Sequence, residues 1–497
     1  MGVIRKQGLS SSILIYLGFA LGALNILVLF AKFLSLEQAG LIFLFVAVGK
    51  IILGFASFGN TAIMNKFFPY YSSYLPKKEN DFLLASTMLP IIGIFLTSIV
   101  WLVADDLIIR KTIEKSPLFV DYYYWVIPYS AFLILYTVLE TFSYTRYKSV
   151  FPTILRELGI RILTSLLIFL LVIGAINFYG LVAAYSVIYL LLVVLMLLYL
   201  HRTGDLIFIP KISKVTRRLK GKMLAYGSYI YGGLIISALA ENADTFIIGS
   251  LVGLGSVTIY QTGHFIATII QVPYRSLSAI AAPVISQAWK DKDLRLIQVI
   301  YQKTSLNQLL AALMLFGAIW VNIDFILNFL GENFDGVKEI VFILGIARIL
   351  DLGFGQNAEI LHNSKYWKFN FFSYVLLVLA FLPTNYFLVK EMGIQGSAWS
   401  NLLSFSLFNL VRYIFLWVKC DLQPFNWSTL SVIGIAAFAY LIANMVHVDI
   451  DVFGLANLTL RSGVFLTLFL IPLIYFKVSI DVNTLLSQSY QRFVKKK

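Results

Sequence analysis

Cysteine, histidine and charged residues are scarce in this sequence of 497 residues. The one cysteine, Cys420, excludes an intramolecular disulfide and any zinc or iron–sulfur site that needs several cysteine ligands. The four histidines lack the spacing of a metal-binding motif, and the sequence contains no P-loop. Charged residues make up only 13% of the chain, whereas soluble proteins contain about 25%. These shortages exclude a soluble enzyme, a nucleic-acid-binding domain and a disordered scaffold.

Long apolar runs fill the chain instead, and 59% of the residues are hydrophobic. A helix needs roughly 20 apolar residues to cross a hydrocarbon core of about 30 Å. Fourteen runs meet that need, and they are too long and too uniformly apolar for barrel strands. The sequence therefore predicts an all-α polytopic membrane protein. The predicted spans are approximately 11–31, 40–62, 82–104, 123–145, 152–175, 178–200, 223–250, 256–282, 303–323, 339–361, 370–389, 394–417, 429–447 and 457–476.

The basic residues predict the orientation of these spans. With the N-terminus in the cytoplasm, 27 of the 39 lysines and arginines fall in cytoplasmic segments, 6 on the opposite side and 6 within spans. This asymmetry predicts that both termini are cytoplasmic. The net charge of +14 is then mostly a consequence of topology, and it does not argue for nucleic acid. The first span follows Arg5 and Lys6 without a cleavage site, so we expect it to be uncleaved.

Four regions are predicted along the chain. A basic cytoplasmic linker, residues 201–222, separates six spans (1–200) from six more (223–417), and residues 418–497 hold two extra spans and a basic tail. Weak similarity between residues 34–43 and 251–260 suggests duplicated halves, which is a common plan in transporters. The loops on both faces are short, so they leave no room for a soluble catalytic domain.

Polar and ionisable residues inside a membrane usually face a cavity or a partner, because they are costly in lipid. Lys50 lies near the middle of the second span, with no acidic residue within a turn. It could meet an anionic substrate, or it could form an ion pair that only joins two helices. Glu241 and Asp244 are three residues apart on one helix face and could couple transport to protons or sodium, or could simply satisfy neighbouring polar groups. Asn25 and His264 lie at a similar depth.

Three arginines within spans complete the set of candidate residues. Arg275 follows Pro273, where we expect a break in the helix, so it could face substrate or extend to the interface. The spacing of Arg161 and Glu157 predicts an intrahelical ion pair, and that of Arg348 and Asp351 predicts another. No catalytic or metal-binding constellation accompanies these residues.

Several stretches resemble the polysaccharide-transport branch of the multidrug/oligosaccharidyl-lipid/polysaccharide (MOP) exporter superfamily, which includes O-antigen flippases. Each stretch is weakly specific, but their order and the fourteen spans together match this branch over nearly the whole chain. The stretches are Gly40, 179–184, 273–293, 330–334, 363–365, 385–388 and 393–399.

The resemblance implies two six-helix lobes around a central cavity, with two additional C-terminal helices. It implies alternating access that moves a polyprenyl-pyrophosphate-linked oligosaccharide across a bacterial inner membrane for surface polysaccharide or lipopolysaccharide synthesis. Membrane lipids and other polysaccharide-assembly proteins are the expected partners. Lys50, Arg275 and Asn25 become candidates for binding substrate, and Glu241, Asp244 and His264 become candidates for coupling or gating. No cofactor is expected apart from coupling to a proton or sodium gradient.

Two alternatives compete with this function. A multidrug or cation antiporter of the same superfamily would also carry buried carboxylates, but the two extra spans argue against it. A membrane-embedded glycan polymerase or ligase would usually expose a large periplasmic loop, whereas the largest loop here is predicted to be cytoplasmic. Lipid II flippases carry several arginines in their N-terminal cavity. Lys50 is the one basic residue deep in the first two spans, which disfavours lipid II as the substrate.

Overall fold

Every regular element in residues 14–206, 211–446, 455–479 and 483–484, which the computed structural model describes, is a helix. The predicted all-α fold is therefore confirmed. Arg5, Lys6 and most of the basic tail lie outside the described residues. Within these ranges, the side chains that are not described are those of Lys77, Arg275, Ser276, Ala279, Ile280 and Leu455.

Fourteen helices overlap the fourteen predicted spans. In chain order, α1 to α14 are Leu14–Phe33, Leu36–Ala56, Phe82–Val103, Tyr123–Thr145, 150–172, Phe178–Arg202, Lys214–Leu251, 254–291, Leu294–Val321, Val337–Gly353, Trp367–Met392, Ile394–Cys420, Trp427–Met445 and Leu455–Tyr475. In the described part of the chain, eleven of these are long and apolar enough to cross a membrane; α5, α8 and α10 are the others. The chain is thus a multi-pass membrane protein.

The three remaining helices are shorter, interrupted or more polar than the rest. A π-helical turn, Leu155–Gly159, interrupts α5 where its charged residues lie. In α8 the α-helix changes to a 3₁₀ turn at Ile269–Gln271, directly before the segment that begins with Val272 and Pro273. Proline lacks the N–H and crowds the preceding turn, which explains the break predicted there. α10 has only 17 residues.

Local hydrogen bonds fix where several helices begin. Ser35 and Gln38 form a reciprocal capping box at the start of α2, and Asn426 and Thr429 form another at the start of α13. The Ser213 side chain caps α7 by accepting a hydrogen bond from the main-chain N–H of the third helical residue. Side-chain oxygens at these positions satisfy N–H groups that have no partner inside the helix.

The second predicted span, 40–62, is broken in the structure. α2 ends at Ala56, and a separate helix, Asn60–Tyr74, follows after a turn. Phe58 and Gly59 adopt φ angles of 45° and 73°, in the left-handed region that glycine tolerates best. A Cβ at residue 59 would also lie 2.5 Å from the main-chain oxygen of Gly227 on α7. The break therefore depends on glycine for both conformation and space.

Contacts divide the chain into two compact units, residues 1–258 and 259–497. In the first, α7 packs along α2, and α4 packs against α2, α3 and α6. In the second, α13 and α14 pack against α9, where the Phe465 ring lies directly over Gly317. The predicted regions 1–200, 201–222, 223–417 and 418–497 stay a prediction. The contacts group α7 with the helices that precede it.

Candidate functional site

Lys50 presents an accessible cation on α2. Its side chain is exposed, although the three residues before it are buried. Its ammonium forms no hydrogen bond or ion pair with any side chain among the described residues. A cation in a membrane helix is costly unless water, a partner or a ligand compensates it. Lys50 is therefore placed to meet a group that the protein itself does not supply.

The helix facing Lys50 is α7, which runs antiparallel to α2 at close range. A Cβ at Gly54 would lie 2.6 Å from the Cβ of Ala238, and one at Gly249 would lie 3.5 Å from Leu44 Cδ1. From the first contact to the second, the position on α2 falls by ten residues while the position on α7 rises by eleven, so the two helices run in opposite directions. Small residues at the crossing allow the two backbones to approach, as is common between membrane helices.

This register sets Lys50 level with Glu241. Lys50 lies one turn before the Gly54–Ala238 contact on α2, and Glu241 lies about one turn after it on α7. Glu241 is the charged group that interacts most strongly with the Lys50 ammonium, followed by Arg161. The two side chains are not in hydrogen-bond contact, and both are exposed. An accessible cation and an accessible carboxylate therefore face the same space.

Glu241 and Asp244 share α7 but differ in their surroundings. Glu241 accepts a hydrogen bond of 3.0 Å from Ser237, one turn earlier. Asp244 is 3% exposed and accepts from the main-chain N–H and the hydroxyl of Thr245, at 2.7 and 3.2 Å. The buried carboxylate is thus held in place by the protein, whereas the exposed one is available to an ion.

A wall of tyrosines on α4 and α6 fixes the other side of α2 at this level. Gly49 lies beneath the Tyr129 ring, where a Cβ would be 2.6 Å from Cε1. Tyr129 is 2% exposed. Its ring stacks on that of Tyr185 with the centroids 5.7 Å apart, and it contacts the Tyr189 ring edge-on with the centroids 5.6 Å apart. The position of Lys50 is therefore determined by rigid packing immediately beside it.

Asn25 joins α1 to α5. Its Nδ2 donates to the main-chain oxygen of Arg161 at 2.9 Å, and its Oδ1 accepts from Ser165 at 2.5 Å. The side chain is 4% exposed. These contacts support a role in helix packing, and the substrate-binding role expected for Asn25 stays a prediction.

One of the two predicted intrahelical ion pairs is confirmed and the other is wrong. Arg161 and Glu157 pair at 2.8 Å within α5. Arg348 and Asp351 do not pair; the arginine lies 3.3 Å from the ring nitrogen of His264 on α8. Both groups of the expected pair instead bond to residues on other helices. Intrahelical spacing made the pair possible, but interhelical partners were better placed.

His264 and Arg275 belong to the second unit. The His264 and Tyr260 rings stack with their centroids 6.1 Å apart, and His264 also contacts Arg348. His264 therefore takes part in a polar cluster of α8 and α10. Asp351 extends this cluster by accepting hydrogen bonds from Gln271 at 3.1 Å and from Asn409 on α12 at 2.8 Å. The Arg275 side chain lies outside the described residues.

The second unit contains a buried cation that the sequence did not single out as a candidate residue. Arg412 on α12 is 1% exposed and donates to Ser373 at 2.9 Å and to Asn370 at 2.6 Å. Its guanidinium lies 3.7 Å from the Phe408 ring centroid and 4.6 Å from that of Tyr374. The sequence placed Arg412 inside a predicted span, but that position alone does not reveal these partners. Neutral oxygens and aromatic faces compensate this cation, so it stabilises the packing of α11 on α12.

The arrangement around Lys50 can bind and release an anion. Lys50 offers three N–H donors, Glu241 competes electrostatically for the same cation, and Arg161 adds positive potential. Among the described residues, no group of three or more histidine, cysteine or acidic side chains is arranged to hold a metal ion.

Solved structures share this fold at low sequence identity. The structure described as "Lipid II flippase MurJ, inward closed conformation" superposes with a TM-score of 0.72 at 15% identity, over 94% of this chain and 98% of the other. An inward-facing multidrug resistance MATE family transporter of the MOP superfamily gives 0.62 at 14% identity, over 81% and 94%. An outward-facing MATE family transporter of the same superfamily gives 0.54 at 14% identity, over 84% and 96%. The sequence matches no family model and no curated protein sequence.

The two kinds of neighbour differ in how much of this chain they cover. The flippase structure covers nearly all of it, while the transporter structures leave about a sixth to a fifth uncovered. At identities of 14–15%, these superpositions show the fold alone and do not show what this chain transports. The chain therefore shares its fold with the flippase structure and with the MATE transporter structures.

Proposed function

We infer that this protein is a flippase that moves a polyprenyl-pyrophosphate-linked oligosaccharide from the cytoplasmic to the periplasmic leaflet of a bacterial inner membrane. It acts as a transporter and not as an enzyme. The observation that carries this proposal is Lys50, an accessible cation within a membrane helix and without a partner among the described side chains. The fold shared with a lipid-linked flippase over nearly the whole chain supports it.

The chemistry of such a substrate explains why a cation is needed there. A pyrophosphate cannot enter a low-dielectric region without compensation, because burying an unpaired charge is far more costly than burying a paired one. Lys50 compensates phosphate charge while the polyprenyl chain stays in lipid. Arg161 lies close enough to add to the attraction. The exposed Glu241 carboxylate can accept hydrogen bonds from the hydroxyls of the glycan.

Glu241 supplies a mechanism for release. When the substrate is bound, its phosphate attracts the Lys50 ammonium; when it leaves, Glu241 is the carboxylate that attracts the ammonium most strongly. A proton or sodium ion arriving at Glu241 or Asp244 would weaken that competition and favour rebinding of substrate. The coupling role proposed for Glu241 and Asp244 follows from this competition, and a coupling or gating role for His264 is a separate proposal. The protein itself supplies the site, and no further cofactor is proposed.

A multidrug or cation antiporter is the second candidate, because Glu241 is exposed and has only Ser237 as a hydrogen-bond donor among the described side chains. An accessible carboxylate suits a cationic substrate as well as a coupling ion. The MATE neighbours have the same fold. The Lys50 ammonium beside it disfavours this candidate, since it would repel a cationic substrate.

Analysis of the lipids of a strain lacking the gene tests both candidates. The flippase function predicts accumulation of a complete polyprenyl-pyrophosphate oligosaccharide by mass spectrometry, with dye efflux unchanged. Unchanged glycolipids together with increased dye sensitivity would support the antiporter instead. Unpolymerised glycans that reach the periplasm would contradict both and indicate an enzyme. Restoring the gene on a plasmid controls for effects on neighbouring genes.

A further inference from the structure

A basic cavity of about 830 Å³ lies within the first unit, away from Lys50. It is formed where the helix Asn60–Tyr74 ends, where the loop to α3 turns, and where α7 begins. Both chain segments connect an even-numbered helix to an odd-numbered one, so they lie on the same side of the membrane whatever the orientation. Six cations among the described side chains line it: Lys78, Lys211, Lys214, Arg217, Arg218 and Lys222.

These cations have no side-chain partner among the residues that the structure describes. None of the six forms a hydrogen bond or ion pair with a side chain in the described part of the chain, and one lining residue, Glu79, is acidic. Six like charges around one cavity repel one another, and they are tolerated where water, salt or an anionic ligand lowers the potential. The lining therefore favours an anion.

The charges also sit at the unfavourable end of a helix. Lys214, Arg217 and Arg218 occupy the first turns of α7, and the first turn contains no acidic residue. The N-terminus of a helix carries partial positive charge, which favours anions and disfavours cations. Local helix chemistry predicts aspartate or glutamate here, so the choice of lysine and arginine indicates a requirement beyond folding.

A buried carboxylate holds this end of α7 in place. Asp81 is 3% exposed, and its Oδ2 accepts hydrogen bonds from the Ser213 N–H at 2.8 Å and from the Thr216 hydroxyl at 2.7 Å. The Tyr71 hydroxyl lies 2.8 Å from the same Thr216 oxygen. The cations are thus mounted on a fixed frame, which reduces the entropic cost of binding a ligand.

One wall of the cavity is apolar and aromatic. Tyr70 and Tyr74 are 46% and 73% exposed, and Ile212 is 60% exposed. Tyrosine is typical of the membrane interface, where its ring meets lipid and its hydroxyl meets water.

The basic stretch of α7 before the predicted span has nine residues, or about 13 Å at the helical rise. That length exceeds the headgroup layer, which is roughly 5–8 Å thick in each leaflet.

We propose that this cavity binds the phosphate headgroup of an anionic phospholipid from the adjacent leaflet. The six cations and the N-terminus of α7 contact the phosphate, and Tyr70, Tyr74 and Ile212 pack against the glycerol and the first acyl carbons. The site is separate from the one around Lys50. It does not depend on the function proposed above.

Native mass spectrometry of the purified full chain tests this site, using phosphatidylglycerol and phosphatidylcholine with identical acyl chains. We expect the wild-type chain to retain phosphatidylglycerol preferentially. The variant K214Q/R217Q/R218Q should lose roughly tenfold or more of that preference, because each cation near an anionic headgroup contributes to binding. The charge-retaining variant K214R/R217K/R218K should bind as the wild type does, which shows that the fold is intact.

The matched control is K290Q/R295Q/K365Q, which removes three exposed cations at the end of α8, at the start of α9 and in the connection after α10. An equal loss in this control would mean general surface attraction and would overturn the proposal. Unchanged preference in K214Q/R217Q/R218Q would overturn it as well. In a third arm, a polyprenyl pyrophosphate replaces the phospholipids. If it binds here and phosphatidylglycerol does not, the phospholipid assignment is wrong.

Discussion

The Tyr129 ring lies directly over Gly49, leaving no space for a side chain at the residue before Lys50. A methyl group there would approach Cε1 to 2.6 Å, and the ring cannot turn away because Tyr185 and Tyr189 hold it. The spacing between α2 and α4 at the level of Lys50 is therefore set by a glycine.

Gly49→Ala should destabilise the protein by roughly 1–3 kcal/mol, the usual cost of overpacking a rigid core. Thermal unfolding of the purified protein in detergent measures this. Gly233→Ala on α7 is the matched control, since nothing lies within 4 Å of a Cβ there. The control should be neutral or slightly stabilising, because alanine is the better helix former. Equal melting temperatures for both variants would contradict the packing described here.

Lys50→Ala should abolish transport while leaving the amount of protein in the membrane unchanged. The charge that compensates phosphate is lost, and no partner among the described side chains is left unpaired. Complementation of a strain lacking the gene, with membrane abundance measured by immunoblot, gives both readouts. Lys50→Arg should retain part of the activity, since the charge persists. Full transport by Lys50→Ala would remove Lys50 from the site.

Glu241→Gln should slow transport by roughly tenfold or more, because the carboxylate that competes for Lys50 is lost while bound substrate is held more tightly. In a Lys50→Gln background, Glu241→Gln should have little effect on substrate affinity, since the two residues act on each other. Because a variant without the Lys50 charge does not transport, a double-mutant cycle on the substrate affinity of the purified protein measures this coupling. Glu332→Gln, at an exposed loop carboxylate, is the control. Strictly additive effects would show that the two side chains work independently.

The stabilising effect of Asp205 should depend on pH. Burial raises the pKa of this carboxyl, but hydrogen bonds from Lys148 and Arg146 outweigh burial and hold the pKa below its ordinary value. The folded protein thus releases this proton more readily than the unfolded chain does. Its stabilisation is complete above about pH 4, the unfolded value, and is lost as the pH falls through the lower folded value.

Asp205→Asn should therefore lower the melting temperature at pH 7, and the difference from wild type should shrink as the pH falls to about 3. Scans of melting temperature against pH provide the measurement. Asp335→Asn, at an exposed loop residue without an ion pair among the described side chains, should show no such trend. A difference that stays constant from pH 7 to pH 3 would argue against the ion pairs with Arg146 and Lys148.

Arg412→Lys should destabilise the protein even though it keeps the charge. Lysine lacks the planar fork that reaches Ser373 and Asn370 together and that lies on the Phe408 ring. Losing one buried hydrogen bond and the stacking costs about 1–3 kcal/mol. The same change at the exposed Arg295 should stay within about 0.5 kcal/mol. Thermal unfolding distinguishes them, and equal effects would contradict a structural role for Arg412.

Sequence patterns predicted the spans well because apolar runs of membrane length have few alternative structures. The break between α2 and the helix Asn60–Tyr74 was missed, since Phe58 and Gly59 give no stronger turn signal than glycines elsewhere in the span. Pro273 gave a clear signal, and the 3₁₀ turn lies directly before it. The irregularity in α8 was thus predictable from its proline, whereas the break after α2, which depends on close packing at Gly59, was not.

The candidate site was predictable residue by residue but not as an arrangement. Lys50 and Glu241 stood out because charge is rare in spans, yet their register depends on small residues, such as Gly54 and Ala238, that carry no chemistry of their own. The pair of Arg161 with Glu157 followed from spacing within one helix. Partners on other helices, including that of His264, could not be read from spacing at all.

The bond between Asp81 and Ser213 has a consequence for biogenesis. The two residues are separated by 132 positions, so a ribosome adding about 5–20 residues per second needs roughly 7–26 seconds to make the second after the first. Until then the Asp81 carboxylate has neither the Ser213 N–H nor the Thr216 hydroxyl to bond with. The first six helices are therefore inserted before the cap of α7 can lock the loop that follows the second. A chain stopped after α6 would expose that carboxylate and present an unfinished surface to membrane quality control.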